Sequence, residues 1–354
     1  MRNTDSKGSS YPLGMNSLLA SILQEFGIAS DGAQAKDLAG AGGFSGAQLW
    51  RIRRGELDLC LRQWPAEQDT ERLRFIHAVI CHAARKVKFL PVPHLTPRGE
   101  SFVEQQGKLW ELSPWLPGEA NHAGPMSSPR LGAALMALAQ FHQATADFSA
   151  NILTPQPSPG LQARLTQIEQ LLAGGANKLQ AAIPACSWAE FRLRAQWLLQ
   201  LFMSQAPEIR RQLQVGAQLP VKLQPCLRDV WSEHVLLSGE TVTGLVDFGA
   251  LRMETVAGDV ARLLGSYVAD DRSAWQAGLK AYSNVRTLDP VEAGLVEVFD
   301  SSQVLLSGMN WLDWVLLQQR EFADHDAILR RLDATIARLE HRRRNQRLII
   351  AGEP

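Results

Sequence analysis

Apolar residues recur along this chain with two different periods, and the change of period divides it. Ser17–Gly27 places Leu18, Leu19, Ile22, Leu23 and Phe26 on one face, the spacing of a short amphipathic helix. From Leu38 to Trp64 the pattern alternates instead. Leu49, Arg51 and Arg53 fall on one side and Trp50 and Ile52 on the other, as in a strand. Gly40, Gly42, Gly43 and Gly46 crowd one turn and Arg54-Gly55 forms another, so the expectation is strand, glycine loop, strand, hairpin, strand. Glu67–Ala84 returns to the helical period through Leu73, Ile76, Val79 and Ile80, before Pro91-Val92-Pro93. Strands are expected at Ser101–Gln105 and Lys108–Leu112. Trp115-Leu116-Pro117-Gly118-Glu119 then breaks the pattern and reads as a linker.

From Pro129 onward the period is mostly helical. Helices are expected over Leu131–Thr145, Trp188–Ser204, Val256–Ala269, Ser273–Tyr282, Pro290–Leu316 (broken) and His325–Arg343. Pro155–Ala182, with its Pro, Gly and Gln, reads as a flexible insertion. One segment interrupts the helices. In Cys226–Ala250, the apolar run Val235-Leu236-Leu237, the polar turn Ser238-Gly239-Glu240 and the run towards Val246 make a hairpin. Asp229 and Asp247 stand at its mouth. The expected organisation is a disordered tail (1–14), a sheet-rich lobe (15–115), a larger helical lobe (116–345) and a second tail (346–354).

Composition narrows the function classes. A chain of 354 residues exceeds one small core, and 45% apolar with 20% charged residues is ordinary for a globular protein. Lys+Arg and Asp+Glu number 36 each, so no general basic field exists to hold nucleic acid. The one dense basic run, His341 to Arg347, reads as a solvated helix end. No apolar run approaches the roughly 20 residues of a membrane span, and the N-terminus lacks the apolar centre of a signal peptide. Cys60, Cys81, Cys186 and Cys226 show neither metal-ligand spacing nor a disulfide framework. A reduced, cytoplasmic protein without membrane or nucleic-acid partners is expected.

Two carboxylates at one end of a hairpin suit phosphoryl transfer, one near a substrate hydroxyl and the other on a phosphate-bound metal ion. The order of parts over roughly residues 36–340 resembles the aminoglycoside phosphotransferase and choline kinase group, relatives of protein kinases. The glycine turn comes first, then Arg62 on the third strand, a helix, "WLPGE", Asp229, and Asp247-Phe248-Gly249 eighteen residues on. Val256–Leu264 is similar to the Gly-Asp-x-x-x-Asp-Leu-Ala stretch of that group.

The resemblance implies an α+β, bilobal kinase-like fold and ATP with Mg²⁺, or Mn²⁺, as cofactors. Gly42, Gly43 and Ser45 would cover the phosphates and Arg62 would bind them. Leu112–Trp115, with Ser113 and Trp115, would be the hinge that meets adenine. Asp229 would orient or deprotonate the hydroxyl of a small-molecule acceptor, and Asp247 would hold the metal. Asp259 would brace the catalytic loop, and His142 would be a structural helix end.

Three positions depart from the pattern. Leu227-Arg228-Asp229 stands where the group writes His-Gly-Asp. His234 stands where it writes a metal-binding asparagine, so His234 binds metal, holds the loop by hydrogen bonds, or marks a site that has lost transfer. The helix glutamate partner of the strand cation is Glu71 or none, because the expected slot falls nearer His77. The competing readings are a catalytically silent nucleotide-binding or scaffolding module and a protein kinase, against which the lack of an Ala-Pro-Glu after Asp-Phe-Gly argues.

Overall fold

The alternating first half folds as a five-stranded antiparallel sheet. The structure is a computed structural model and describes residues 17–38, 46–120, 126–148, 154–322 and 324–351. After helix α1 (Ser17–Glu25) come β1 (Gln34–Asp37), β2 (Gln48–Arg54), β3 (Leu57–Gln63), helix α2 (Thr70–Ala83), β4 (Val103–Gln105) and β5 (Lys108–Pro114). The strand order is β1-β2-β3-β5-β4. Alternation sorts the side chains between two faces. Ile52, Leu59, Leu61, Trp110 and Leu112 form a core with Leu19, Ile22, Leu23 and Phe26 of α1. Arg62 pairs across the ladder with Glu111 and Cys60 with Ser113, at positions of opposite parity. The glycine loop from Gly40 through Gly42, Gly43, Phe44 and Ser45 lies outside the described residues; Gly46 closes it with φ +75°, a conformation open to glycine.

The remaining chain is mainly helical: α3 (Ser128–Thr145), α4 (Pro159–Gln170), α5 (Ala176–Ala182), α6 (Ala189–Gly216), α7 (Ala257–Val268), α8 (Arg272–Ser283), α9 (Pro290–Leu312) and α10 (His325–Ala351). Short strands stand between them: β6 (Gln156–Pro157), β7 (Pro220–Val221), β8 (Gln224–Cys226), β9 (Val235–Ser238), β10 (Thr241–Leu245) and β11 (Arg252–Glu254). The chain divides into two compact units. The first runs to Glu119 and takes in Thr243–Val246; the second comprises Ala120–Val242 and Asp247 onward. In the first, Leu245 N–H donates to Phe89 C=O at 2.8 Å and Thr243 Oγ1 donates to Pro117 C=O, which ties the end of the hairpin to it.

Two expectations change. Pro155–Ala182 is ordered helix rather than a flexible insertion. Ser158 caps α4 by accepting from Leu161 N–H, Pro159 supplies a first-turn φ, and Leu161, Ile168 and Leu179 are buried. A π-helical turn at Leu171–Gly175, with Gly174 at φ +131°, joins α4 to α5. Helix α6 runs on past Ser204 and through Pro207, because Ala206, Ile209 and Leu213 continue its buried face. The break expected in Pro290–Leu316 is a π turn at Asp313–Leu317. Among the described residues no helix is long and apolar enough to cross a membrane.

Candidate active site

The second unit builds the loop that carries Asp229. Strand β8 pairs with β11, Cys226 opposite Arg252, and Leu227-Arg228-Asp229 leaves its end. The carboxylate of Asp259, in the first turn of α7, accepts the backbone N–H groups of Leu227 at 2.7 Å and Arg228 at 2.6 Å. It also meets His142 Nε2 at 3.0 Å, while Tyr282 Oη lies 2.8 Å from His142 Nδ1. A carboxylate only accepts, so Nε2 carries the proton and Nδ1 accepts from the phenol. Burial pushes the His142 imidazole below its usual range, against the hydrogen bond and charge of Asp259. Asp259 and His142 therefore take the bracing roles expected of them.

Cys226 lies within ligand distance of the same histidine and aspartate. Its thiol donates to Glu254 C=O at 3.2 Å, and burial pushes it well above the ordinary thiol range. With both imidazole nitrogens engaged, the cluster is a hydrogen-bonded brace and not a metal centre.

Asp229 itself is half-exposed and clamped on one oxygen. Its Oδ1 receives Arg262 Nη2 at 2.6 Å and Trp231 Nε1 at 2.8 Å. The Arg262 guanidinium lies 3.6 Å from the Trp231 ring centroid, and that of Arg331 lies at 5.8 Å. Oδ2 has no hydrogen bond among the described residues. Trp231 is thus a hydrogen-bond partner of Asp229 and a packing surface for Arg262. Glu233 is exposed and lies 3.9 Å from Arg331.

Asp247 and His234 come together at the other end of the loop. Phe248 is buried edge-on against Phe141, ring centroids 5.7 Å apart, and anchors Asp247-Phe248-Gly249. Asp247 takes a left-handed backbone, φ +62°, which aspartate tolerates better than most residues. His234 closes a 3₁₀ turn (Ser232–His234), and its Nδ1 lies 2.9 Å from the Asp229 carbonyl. A carbonyl only accepts, so Nδ1 bears a proton, and Nε2 turns outward. That atom lies 3.7 Å from Asp247 Oδ2. The gap is too long for a hydrogen bond but within the span of two ligands bound to one ion at about 2.1 Å each. His234 therefore does hold the loop, and its second nitrogen and Asp247 form a donor pair that fits a divalent cation.

In the first unit Arg62 is largely buried and lies over the Trp64 ring, 4.4 Å to the centroid. The carboxylate acting on it is Glu111 of β5, its ladder partner, and not Glu71, which is exposed in the first turn of α2. Glu111 Oε2 accepts from Trp64 Nε1 at 3.0 Å and lies 2.8 Å from His77 Nε2; Ser101 Oγ meets the other nitrogen of His77. Burial pushes the Glu111 carboxyl up, yet the His77 bond and the charges of His77 and Arg62 outweigh it and hold it below its usual range. The helix position expected to supply a glutamate supplies a histidine, and that histidine positions a strand carboxylate.

Ser113 is buried and pairs with Cys60, while Trp115 N–H donates to Asp58 C=O at 2.9 Å and its ring lies 4.4 Å from the Arg51 guanidinium. Antiparallel pairs alternate in which edge they bond. The groups of Ser113 and Trp115 therefore face β3. Those of the intervening residues face the other edge, as His94 N–H on Leu112 C=O shows at 2.7 Å. The next outward carbonyl is that of Pro114.

These parts stand in the order strand cation, braced Asp229 loop, Asp-Phe-Gly. The sequence model of the phosphotransferase enzyme family matches residues 38–293. The chain belongs to this family. Among solved structures, a spectinomycin phosphotransferase in complex with ADP and spectinomycin shares 13% identity at TM-score 0.62, over 91% of this chain and 96% of its own. A microcompartment-associated aminopropanol kinase shares 12% identity at TM-score 0.58, over 95% and 98%. A macrolide 2'-phosphotransferase from Brachybacterium faecium shares 16% at 0.54, over 91% and 97%. No curated protein matches the chain. At these identities the likeness to solved structures establishes the kinase-like fold of the family.

Two contributors are absent from the sequence reading. Arg262 lies in the stretch that drew attention to Asp259, three residues on, where helical spacing keeps it on a neighbouring face. Glu111 is the residue that ladder register sets opposite Arg62. Register was the signal that could have found it, since strand pairing fixes which side chains meet.

Proposed function

We propose that this family member is an ATP-dependent phosphotransferase that moves the γ-phosphate to a hydroxyl of a small molecule. The observation that carries the reading is the chain of contacts Asp229–His234–Asp247. One imidazole bonds the loop of the first aspartate and offers its other nitrogen towards the carboxylate of the second. Asp247 and His234 would hold Mg²⁺ or Mn²⁺, which supplies charge neutralisation to the phosphates when bound. Asp229, held at Oδ1, keeps Oδ2 for the acceptor hydroxyl and orients it for attack. Taking up the hydroxyl proton falls to the same carboxylate as the new P–O bond forms.

In the first unit Arg62 would bind phosphate oxygens, aided by Gly42, Gly43 and Ser45. The strand edge after Ser113 would meet adenine through the Pro114 carbonyl, with Trp115 beside it. A second reading, a silent nucleotide-binding module, draws support from the ion pair that Asp229 already makes with Arg262. Both are tested by a thermal-shift titration with ATP plus Mg²⁺ or Mn²⁺, with Asp247→Ala as control, followed by ADP release. A metal-dependent shift lost in the variant and accompanied by turnover supports transfer. A shift without turnover leaves the silent module, and no shift at millimolar nucleotide removes the nucleotide site.

A further inference from the structure

Arg62 and Trp64 stand two residues apart on one extended segment, so their side chains share a face of the sheet. Trp64 N–H donates to Leu109 C=O at 2.9 Å, which carries the ladder one residue past β3. Both side chains are buried, and the guanidinium lies over the indole, 4.4 Å from the ring centroid. The indole is pinned in turn. Its Nε1 donates to Glu111 Oε2 at 3.0 Å, and the same oxygen lies 2.8 Å from His77 Nε2 of α2. Ser101 Oγ meets the far nitrogen of His77 at 2.8 Å. One run of contacts thus leads from α2 through Glu111 to the indole, and from the indole to Arg62.

Stacking and hydrogen bonding use different parts of a guanidinium. An aromatic ring attracts its face, whereas its N–H groups point outward in its plane. A ring beneath the cation therefore fixes that plane and consumes none of the donors; a bidentate carboxylate would consume two. Glu111 stands opposite Arg62 across the ladder and holds the ring by its N–H. This arrangement selects arginine over lysine, because an ammonium has no plane to align.

We propose that Trp64 is a positioning residue for phosphoryl transfer: stacked under Arg62 and fixed by Glu111, it aims the guanidinium at the phosphates of the nucleotide. The inference rests on the kinase reading above and adds how its phosphate-binding cation is oriented. Trp64 acts through Arg62, so its effect is confined to the phosphates.

The test reads apparent Kd for Mg·ATP and for adenosine from the concentration dependence of melting temperature, in the full chain and its variants. A wild type that Mg·ATP does not stabilise overturns the kinase reading and this inference with it. Where the wild type binds, the remaining outcomes bear on Trp64 alone. Trp64→Leu is expected to weaken Mg·ATP about 3- to 30-fold, the effect of one desolvated cation–π contact. Adenosine, which has no phosphate, should stay within about twofold. Trp64→Phe keeps a ring under Arg62 and should recover most of the affinity, while Arg62→Lys should match Trp64→Leu. In the Arg62→Lys background, Trp64→Leu should add less than about a further twofold, because both substitutions remove one interaction. Unchanged Mg·ATP affinity in Trp64→Leu, an equal loss for adenosine, or losses that add in the double variant overturns the inference. If Trp64→Leu does not fold, Arg62→Lys decides by itself, since it leaves the indole in place: Mg·ATP affinity equal to the wild type overturns the inference, and a loss that spares adenosine supports it.

Discussion

Arg262 Nη2 lies 2.6 Å from Asp229 Oδ1, and the same guanidinium lies 3.6 Å from the centre of the Trp231 ring, whose indole N–H bonds that oxygen too. The Asp229 carboxylate is therefore held on one oxygen by two donors that pack on each other. Holding a reacting group in place contributes to rate and not to nucleotide affinity. Arg262→Gln should lower metal-dependent ATP turnover by about 10- to 100-fold, the effect of losing a charge-assisted bond of 1.5–3 kcal/mol. The metal–nucleotide thermal shift should persist. Arg262→Lys should recover only part of the rate, since a lysine has no planar fork. Full turnover in Arg262→Gln would show that the clamp is structural.

In the proposed site His234 would present a nitrogen to the cation, where an amide oxygen is a harder ligand. Replacing it with asparagine should move the metal preference from Mn²⁺ towards Mg²⁺, read as the nucleotide-dependent rise in melting temperature with each ion. An unchanged profile would confine His234 to its bond with the Asp229 carbonyl.

The brace under the loop predicts a pH dependence of stability. His142 is buried and its imidazole is held below the usual range. An unfolded histidine binds a proton below about pH 6.5, while the folded one resists it. The stability contribution is thus complete above about pH 6.5 and is lost as pH falls below it, by up to about 1.4 kcal/mol per pH unit for one proton. Melting temperature measured from pH 7.5 to 5 should fall with that sense. His142→Asn should be less stable at pH 7.5 and show a shallower fall. A parallel curve for the variant would rule out His142 as its source.

Glu111 gathers Trp64, His77 and Arg62 around one carboxylate. Glu111→Ala removes the acceptor of two largely buried donors and the counter-charge of an arginine. Loss of about 3 kcal/mol of stability is expected, in line with breaking a buried ion pair, together with weaker nucleotide binding. Glu71→Ala, at the exposed helix start, should change stability by no more than about 0.5 kcal/mol. Chemical denaturation of both variants checks the pair, and a larger effect at Glu71 would return the Arg62 partner to the helix.

Much of the site was legible because its parts are local. Asp229, His234 and Asp247 lie on one loop and hairpin, so sequence spacing alone sets them near each other. The left-handed turns at Arg228 and Asp247 were not legible, since neither residue type announces φ > 0 as glycine does. The helical nature of Pro155–Ala182 was masked by its turn-forming residues, although Ser158-Pro159 is itself a helix start.

The sequence by itself determined the order of elements, the two-period division and the identity of the residues at the catalytic loop. These follow from local periodicity and turn chemistry, which act over a few residues. Only the tertiary structure decided who partners whom. Arg262 reaches Asp229 from 33 residues away and His142 reaches Asp259 across 117. Strand register chose Glu111 over Glu71 for Arg62. Such contacts depend on how helices pack and ladders align, and many pairings are compatible with one local pattern. Packing and hydrogen-bond satisfaction select among them, because a buried charge or donor left without a partner is too costly to keep.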